Sequence, residues 1–447
     1  MISNKTINFF PGTFLFFLMI VTPSGNQLLK YFVLGIFCFQ IFSNFIFYNR
    51  IYLHKKIFIL FLFYIFIGLF FGAYGLAVNN PGSISVTKLQ VIYVILSMFL
   101  IMTINNINLI RHVHRIILFS TLFLLGYHFV AVLNSLGIWP DWLFLDISGK
   151  EATFDISTEA MIRTGRLEIE TSASPSVMFL YPYLFTYIFV TKEKNITKYW
   201  IAILGTSIFM LISGIRILLI IFILFSFLII FFLKFNKGFY NIIVMKKWIR
   251  SLAMMLLSIV VIFELLNLSV ISYGWHTLRV FLPLELSSIV EGGNTVSSYD
   301  HATLIPNRRY EQATILYNNW LDKPFFGHGS GAVGYRSNGA PYIRGDITHP
   351  WAYELIYSQF LFHWGLIGFL SYALGLFIIY KTLLKIFYLD PIFGPYAISI
   401  LFGSLGFMVG TASNPYLIRF DSYYVIFLPI AIVNLWLMTK RGNIYRS

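Results

Sequence analysis

Long apolar stretches, each followed by a short polar turn, recur along most of the sequence. One of them, KIFILFLFYIFIGLFFGAYGLAV, begins at Lys56. About 20 apolar residues are enough for a helix to cross the hydrocarbon core of a bilayer. The pattern predicts about twelve membrane-spanning helices, near residues 8–22, 28–48, 57–77, 89–105, 116–137, 174–191, 199–214, 217–233, 251–272, 352–380, 394–411 and 421–439.

The stretches do not alternate between apolar and polar residues, as the strands of a membrane β-barrel would. The predicted fold class is therefore an all-α polytopic membrane protein. Two long polar segments interrupt the apolar pattern, at about 138–173 and at 273–350. The chain thus divides into residues 1–272 with spans one to nine, the large polar segment 273–350, and residues 351–447 with spans ten to twelve.

Composition agrees with the apolar pattern. Hydrophobic residues make up 58% of the chain, charged residues make up 11%, and the mean hydropathy is +0.77. A soluble domain carries about 25% charged residues. Cys38 is the only cysteine, so a disulfide within the chain is excluded. Its position inside a predicted span indicates a role in packing.

The net charge of +14 raises the alternative of nucleic-acid binding. The basic residues are concentrated in every second connection, as at Lys246, Lys247 and Arg250. Each of the short turns between holds one basic residue, namely Lys30, Lys88, Arg216 and Arg419. Cytoplasmic loops carry the excess of Lys and Arg in membrane proteins. The charge therefore indicates topology and not nucleic acid: both termini are predicted inside and both long polar segments outside.

Arg216, in LISGIRILLII, lies in a tight turn before the predicted eighth span. One interpretation is an arginine that reaches from a helix end to the interface. The other is an anion site, because the free N–H groups at a helix N-terminus favour an anion and repel a cation. An arginine at such a position is best explained by an anion bound beside it.

Arg308 and Arg309 precede a second pattern. Apolar residues follow them at helical spacing and predict an amphipathic helix, about 308–321, on the membrane surface, with Asn307 as its N-cap. Both arginines then lie in the first turn. They are either solvated charges or a phosphate site, for which arginine has suitable planar geometry.

His349 and Pro350 form the third feature. Proline is favoured at the first position of a helix, so His349 is predicted to cap the tenth span. At a helix N-terminus the imidazole stays neutral, and it either acts on an acceptor hydroxyl or is an ordinary cap. Glu354 lies about a turn deeper and needs a basic partner, for which one of the arginines is a candidate.

These features together predict a cationic site for a membrane-bound phosphate at the outer surface. Trp139 and Trp142, in the acidic first outer loop, are candidates for contact with sugar rings, although a solvated loop is the plainer interpretation. The glycines at 327, 329, 331, 334, 339 and 345 predict a flexible loop that covers a substrate, forms an anion nest or is a linker. No D-x-D pair occurs, so no metal site and no cofactor is predicted.

Three segments resemble the O-antigen polymerase and O-antigen ligase family of bacterial inner-membrane proteins. SGIRILL is similar to the family's turn of small residues, which is followed by an arginine and then by a span. RRYEQATILYNNWLDKPFFGHGSG resembles its arginine, amphipathic helix and proline–glycine segment, with Arg309 at the better spacing from Pro324. HPWAYELIYSQFLFHWGLIGF resembles its histidine and following span, although the interval from His349 to Gly365 is longer than usual.

The resemblance implies a metal-independent, membrane-embedded glycosyltransferase of the bacterial inner membrane, with its site facing the periplasm. The donor would be an oligosaccharide on undecaprenyl pyrophosphate, and a chain-length regulator would be a protein partner. Arg216 and Arg309 would bind pyrophosphate, His349 would handle the acceptor, and Arg308 and Glu354 would support them. We favour a polymerase over a ligase that transfers to the lipid A core. A flippase for lipid-linked sugars is the second alternative.

Overall fold

The computed structural model is helical throughout the part of the chain that it describes. It describes residues 10–23, 26–48, 52–104, 106–135, 139–140, 174–191, 193, 196–212, 216–235, 249, 253, 300–342, 350–413 and 415–440. Within these ranges there is no β-strand, and the one isolated antiparallel bridge joins Tyr335 to Pro341.

Twelve α-helices form in the described ranges, and we number them in chain order. They are α1 (Phe10–Val21), α2 (Gln27–Tyr48), α3 (Lys55–Ala77), α4 (Ser83–Thr103), α5 (Ile107–Ser135), α6 (Ser174–Val190), α7 (Thr197–Ile212), α8 (Arg216–Phe235), α9 (Asp300–Asp322), α10 (Ile356–Leu389), α11 (Gly394–Gly410) and α12 (Tyr424–Lys440). Short 3-10 turns at Thr411–Ser413, Tyr416–Ile418 and Phe420–Ser422 join α11 to α12.

The helices confirm the all-α prediction for the described residues. The predicted span at 251–272 lies outside them, and every other predicted span coincides with an apolar helix. The two largest differences in boundary are at the start of α5, which is Ile107 and not near residue 116, and at the end of α10, which is Leu389 and not near residue 380.

Within the described part, five helices are long and apolar enough to cross a membrane. They cover Lys55–Ala77, Ser83–Met102, Ile107–Ala131, Ile217–Phe235 and Ile356–Leu389. Such helices indicate a protein embedded in a membrane.

The centre of the bundle is formed by α6, α11 and α12. Nearly every residue of α6 is buried, on all sides of the helix. It lies against α11 at Gly403 and Gly406, where a Cβ on Gly406 would come within 2.6 Å of the carbonyl oxygen of Met178. Small residues of this kind let helix backbones approach closely in membranes, where packing and not water exclusion holds helices together.

Different polar contacts hold the two ends of the bundle. At one end, Asn434 of α12 accepts the N–H of His54 at 2.8 Å and donates to the carbonyl of Tyr52 at 3.0 Å, which fixes the start of α3. At the opposite end, Lys30 of α2 forms a buried ion pair with Asp421, with a distance of 2.9 Å between Nζ and Oδ1. The second end contains the C-terminus of α3 and the start of α10, and we call it the site end.

Candidate functional site

A break in α10 organises the site end. Gly365 has φ 60° and ψ −171°, outside helical values, so the helix ladder is interrupted there. In an unbroken helix, the N–H groups of Leu366 and Ile367 would donate to the carbonyls of Phe362 and His363. All four backbone groups need other partners, because a buried backbone group without a partner is costly.

The partners come from residues 323–331, KPFFGHGSG, which we call the inserted segment. Leu366 and Ile367 donate to the carbonyls of Pro324 and Phe325, at 2.8 and 3.0 Å. The carbonyls of Phe362 and His363 accept the N–H groups of His328 and Gly329, at 2.9 and 2.8 Å. The inserted segment thus replaces the two missing helical bonds with four bonds of its own. Non-helical backbone at membrane depth is tolerated where protein satisfies it in this way.

The glycines of the inserted segment allow this close approach. Gly327 has φ +65°, and a Cβ there would lie 2.5 Å from the nitrogen of Gly365. Ser330 donates its N–H to the carbonyl of Phe71 in α3, and the Asn80 side chain donates to the carbonyl of His328 at 2.7 Å. For the glycines at 327, 329 and 331, the expectation of a flexible loop was therefore wrong. The glycines serve tight packing between α3 and α10 and not mobility.

Arg309 and Glu354 form an ion pair beside the start of α10. Arg309 Nε lies 2.9 Å from Glu354 Oε2, and the two side chains are 38% and 17% exposed. This confirms the expectation that one of the arginines pairs with Glu354. Gln312, one turn after Arg309, fixes the acidic partner, because its Oε1 accepts the N–H groups of Glu354 and Leu355, both at 3.0 Å.

Two helices, α10 and α9, begin at residues other than those that the sequence predicts. The cap position of α10 is Leu355, so the prediction that His349 caps this helix was wrong. His349 itself lies outside the described residues. The residues just before the helix, Glu354 and Leu355, instead donate their N–H groups to the side chain of Gln312 in α9. Arg309 also is not in a first turn, since α9 begins at Asp300 and continues through Pro306.

The dipole argument for Arg309 therefore does not hold, and its environment is set by Glu354. The prediction of a helix at 308–321 is correct in kind but too short.

Arg216 is the first residue of α8, as predicted. The side chains of Arg216 and Arg308 lie outside the described part of the structure. The second turn of α8 and the first turn of α10 nevertheless flank the same turn of α11. A Cβ on Gly410 would come within 2.9 Å of Ile221 Cδ1, and Tyr357 donates its hydroxyl to the carbonyl of Met408 at 2.5 Å. The backbone of Arg216 and the Arg309–Glu354 pair therefore belong to the same end of the bundle.

Trp139 lies at the C-terminal end of α5, half-buried. Its backbone N–H donates to the carbonyl of Leu133 at 3.0 Å, and its backbone carbonyl accepts from the Asn134 side chain at 3.1 Å. Residues 141–173, including Trp142, lie outside the described residues. The predicted sugar contact therefore remains a prediction for both tryptophans.

Burial keeps two titratable side chains beside α9 neutral. It holds the pKa of His328 below its ordinary value, although a hydrogen bond to the carbonyl of Asn319 favours the charged form. His328 Nε2 lies 2.7 Å from that oxygen, so this nitrogen carries the proton. Burial also raises the pKa of Tyr353, whose hydroxyl oxygen accepts the N–H of Gly334 at 2.6 Å. Near neutral pH the charge of this region therefore rests on its arginines, lysines and carboxylates.

A polar network, buried except for Glu193, lies at the other end of the bundle. The carboxylate of Glu193 accepts hydroxyl protons from Tyr187 and Tyr199, both at 3.0 Å. Because Tyr199 donates to Glu193, it must accept from His114 Nε2 at 2.8 Å, and His114 Nδ1 then accepts from Tyr183 at 2.7 Å. The direction of every bond is thus fixed, and the network joins α5, α6 and α7.

Sequence reasoning missed this network, Gln312 and the Lys30–Asp421 pair. A signal existed for the ion pair, because charges at the edges of apolar spans need partners. No comparable signal existed for Gln312. Among the described residues, no group of three His, Cys, Asp or Glu side chains is placed to hold a metal ion.

Comparison of the chain with protein-family models, with curated proteins and with solved structures finds no match.

Proposed function

We propose that this chain is an O-antigen, or surface-polysaccharide, polymerase of the bacterial inner membrane. In the proposed reaction, a hydroxyl of one lipid-linked repeat unit attacks the anomeric carbon of a chain on undecaprenyl pyrophosphate. A new C–O bond forms, the bond to the pyrophosphate oxygen breaks, and the hydroxyl proton passes to a base. Undecaprenyl pyrophosphate leaves.

The Arg309–Glu354 pair is the observation that carries the proposal. A carboxylate that accepts from Nε fixes the plane of the guanidinium, and a fixed guanidinium suits bidentate recognition of phosphate oxygens. Glu354 is itself held by Gln312, so the arginine rests on a rigid support. In the proposed mechanism Arg309 and Arg216 stabilise the charge that grows on the leaving pyrophosphate. Arg308 supports them, and His349 orients or deprotonates the acceptor.

Two of the segments that resemble the polymerase and ligase family also contact each other. The proline–glycine segment after α9 is the inserted segment, and the Gly365 region of α10 is the break that receives it. The helix that bears Arg309 is thereby anchored at its C-terminal end. A preorganised support of this kind favours catalysis, because small displacements of a charged group weaken transition-state contacts strongly.

The proposed topology has about twelve spans, both termini in the cytoplasm and residues 273–350 in the periplasm. It is supported by the distribution of basic residues. The site end then faces the periplasm, because α3 starts beside the basic residues Lys55 and Lys56 at the opposite end. Reporter fusions near Lys237 and Asn294 are expected to report opposite sides of the membrane. Fusions that report the same side would refute this topology.

Deletion of the gene, followed by gel analysis of lipopolysaccharide, tests the function. A polymerase leaves cores capped with a single repeat unit. The alternative ligase leaves cores without polymer, while lipid-linked chains accumulate. A flippase, the second alternative, leaves lipid-linked units on the cytoplasmic side. Polymer of normal length distribution in the deletion strain would contradict all three.

A further inference from the structure

Helix α9 exposes an apolar stripe on the side away from its packed face. Gln312, Ile315 and Leu316 are buried, and the two apolar residues pack with Tyr342, Tyr353 and Phe362. On the other side, Tyr310, Tyr317 and Leu321 are 76%, 56% and 50% exposed, at positions i, i+7 and i+11 of one helical face. Large apolar groups exposed in a row indicate a binding surface.

The lower end of this stripe lies at the lipid-facing surface. Phe325, which is 61% exposed, follows Leu321 by four residues, just beyond the end of α9. Its carbonyl is bonded to the N–H of Ile367, two residues past the break in α10. Ile367, Leu370 and Leu374 are 44%, 53% and 55% exposed on a helix apolar enough to span a membrane. Such residues face hydrocarbon, so Phe325 adjoins the hydrocarbon phase.

The upper end of the stripe lies at a fixed cation. Tyr310 follows Arg309, and Arg309 is held by Glu354 just before α10 begins. From Arg309 to Leu321 the helix rises about 18 Å. The stripe therefore connects lipid-exposed side chains at one end with a guanidinium at the other.

We propose that this stripe, formed by Tyr310, Tyr317, Leu321 and Phe325, binds the hydrocarbon chain of a polyisoprenyl pyrophosphate whose headgroup lies at Arg309. This inference rests on the proposed function, which requires a lipid-linked pyrophosphate. Along the stripe, apolar side chains cover the hydrocarbon chain of the lipid between the point where it leaves the bilayer and its pyrophosphate headgroup at Arg309.

The width of the stripe favours a single-chain lipid. Polar residues border it on one side, at Asn318 and Asp322, which are both exposed. A phospholipid with two acyl chains would leave its second chain on these polar residues or in water, at a cost proportional to the exposed apolar area. One long chain fits without that cost.

The test measures binding of two probes to purified protein in detergent. Undecaprenyl pyrophosphate reaches along the whole stripe, whereas geranyl pyrophosphate contacts only its upper end. Leu321→Asn and Tyr317→Asn are each expected to weaken undecaprenyl pyrophosphate binding roughly tenfold and to leave geranyl pyrophosphate binding unchanged. Leu321→Met and Tyr317→Phe should retain binding. Asn318→Ala, at an exposed position beside the stripe, is the matched control and should bind both probes normally.

The outcomes separate this inference from the function on which it rests. If the wild-type protein binds neither probe, the proposed pyrophosphate site itself is wrong. If Arg309→Gln weakens both probes but the stripe variants bind both normally, the chain lies elsewhere and only the present inference fails. Equal competition by phosphatidylglycerol would also overturn it, because the stripe would then be a general lipid contact.

Discussion

Substitution of Gly327 by alanine tests the packing of the inserted segment in the break of α10. The new Cβ would lie 2.5 Å from the nitrogen of Gly365 and 2.6 Å from the carbonyl oxygens of His363 and Phe362. Ordinary contacts of carbon begin at about 3.5 Å. The inserted segment would therefore have to move by about 1 Å relative to α10, and no side chain can give way instead, because all three atoms belong to the backbone.

The energetic cost follows from the bonds that this movement breaks. Four backbone bonds of 2.8–3.0 Å join the inserted segment to α10, and a shift of about 1 Å takes such a bond beyond its useful range. Loss of two of them, at about 1–3 kcal/mol for each buried group, together with about 1 kcal/mol for alanine at positive φ, gives roughly 3–7 kcal/mol. Gly339→Ala is the matched control, because Gly339 has φ +78° with nothing within 4 Å, so only the conformational term of about 1 kcal/mol applies.

Unfolding of the purified variants in increasing dodecyl sulfate measures the difference. Gly327→Ala should unfold at a clearly lower detergent fraction than Gly339→Ala, which should remain close to the wild-type protein. Hydrogen exchange should show loss of protection at Leu366 and Ile367 in the first variant alone. Equal midpoints for the two alanine variants would refute the interlocked break.

Three further predictions concern other parts of the molecule. Lys30→Met and Asp421→Leu should each lower stability by about 3–5 kcal/mol. The double variant should lose less stability than either single variant, because it leaves no buried charge without a partner, and additive losses would contradict the buried pair. Burial lowers the pKa of His328, so below about pH 6.5 the unfolded chain binds more protons than the folded chain, and stability should fall as the pH falls. His328→Gln should reduce this pH dependence of stability, and an unchanged pH profile in the variant would contradict the assignment. Glycosyl transfer by the purified protein should continue in the presence of EDTA. Complete loss of this activity, restored by manganese or magnesium, would contradict metal-independent catalysis.

The helices could be predicted from the sequence because crossing a bilayer imposes length and apolarity on each segment. All the apolar helices of the described part coincide with predicted spans. The ends of the helices were less predictable. α5 begins well before its apolar core, because polar residues at a helix end can lie outside the membrane and still be helical.

Around Glu354, the ion pair was predictable from the sequence but its geometry was not. The pairing of Glu354 with an arginine followed from the cost of a charge near the membrane. The position of Arg309 within its helix could not be predicted in this way. A proline ends most helices, but α9 continues through Pro306. The break at Gly365 and the contact of Gln312 with the residues before α10 depend on contacts between distant segments, which local patterns do not encode.

The central claim is that Arg309 binds pyrophosphate and is not simply a surface charge. Arg336 is the matched control, because it pairs with Glu311 at 2.9 Å in the same region and both side chains are 43% exposed. Lysine keeps the charge but loses the guanidinium fork, and a lost transition-state contact of about 3 kcal/mol lowers a rate about a hundredfold. The measurement is the amount of long polymer on a gel from a deletion strain that expresses each variant, normalised to protein level. Arg309→Lys should lose nearly all polymer while Arg336→Lys keeps it, and near-normal polymer from Arg309→Lys would contradict the pyrophosphate site.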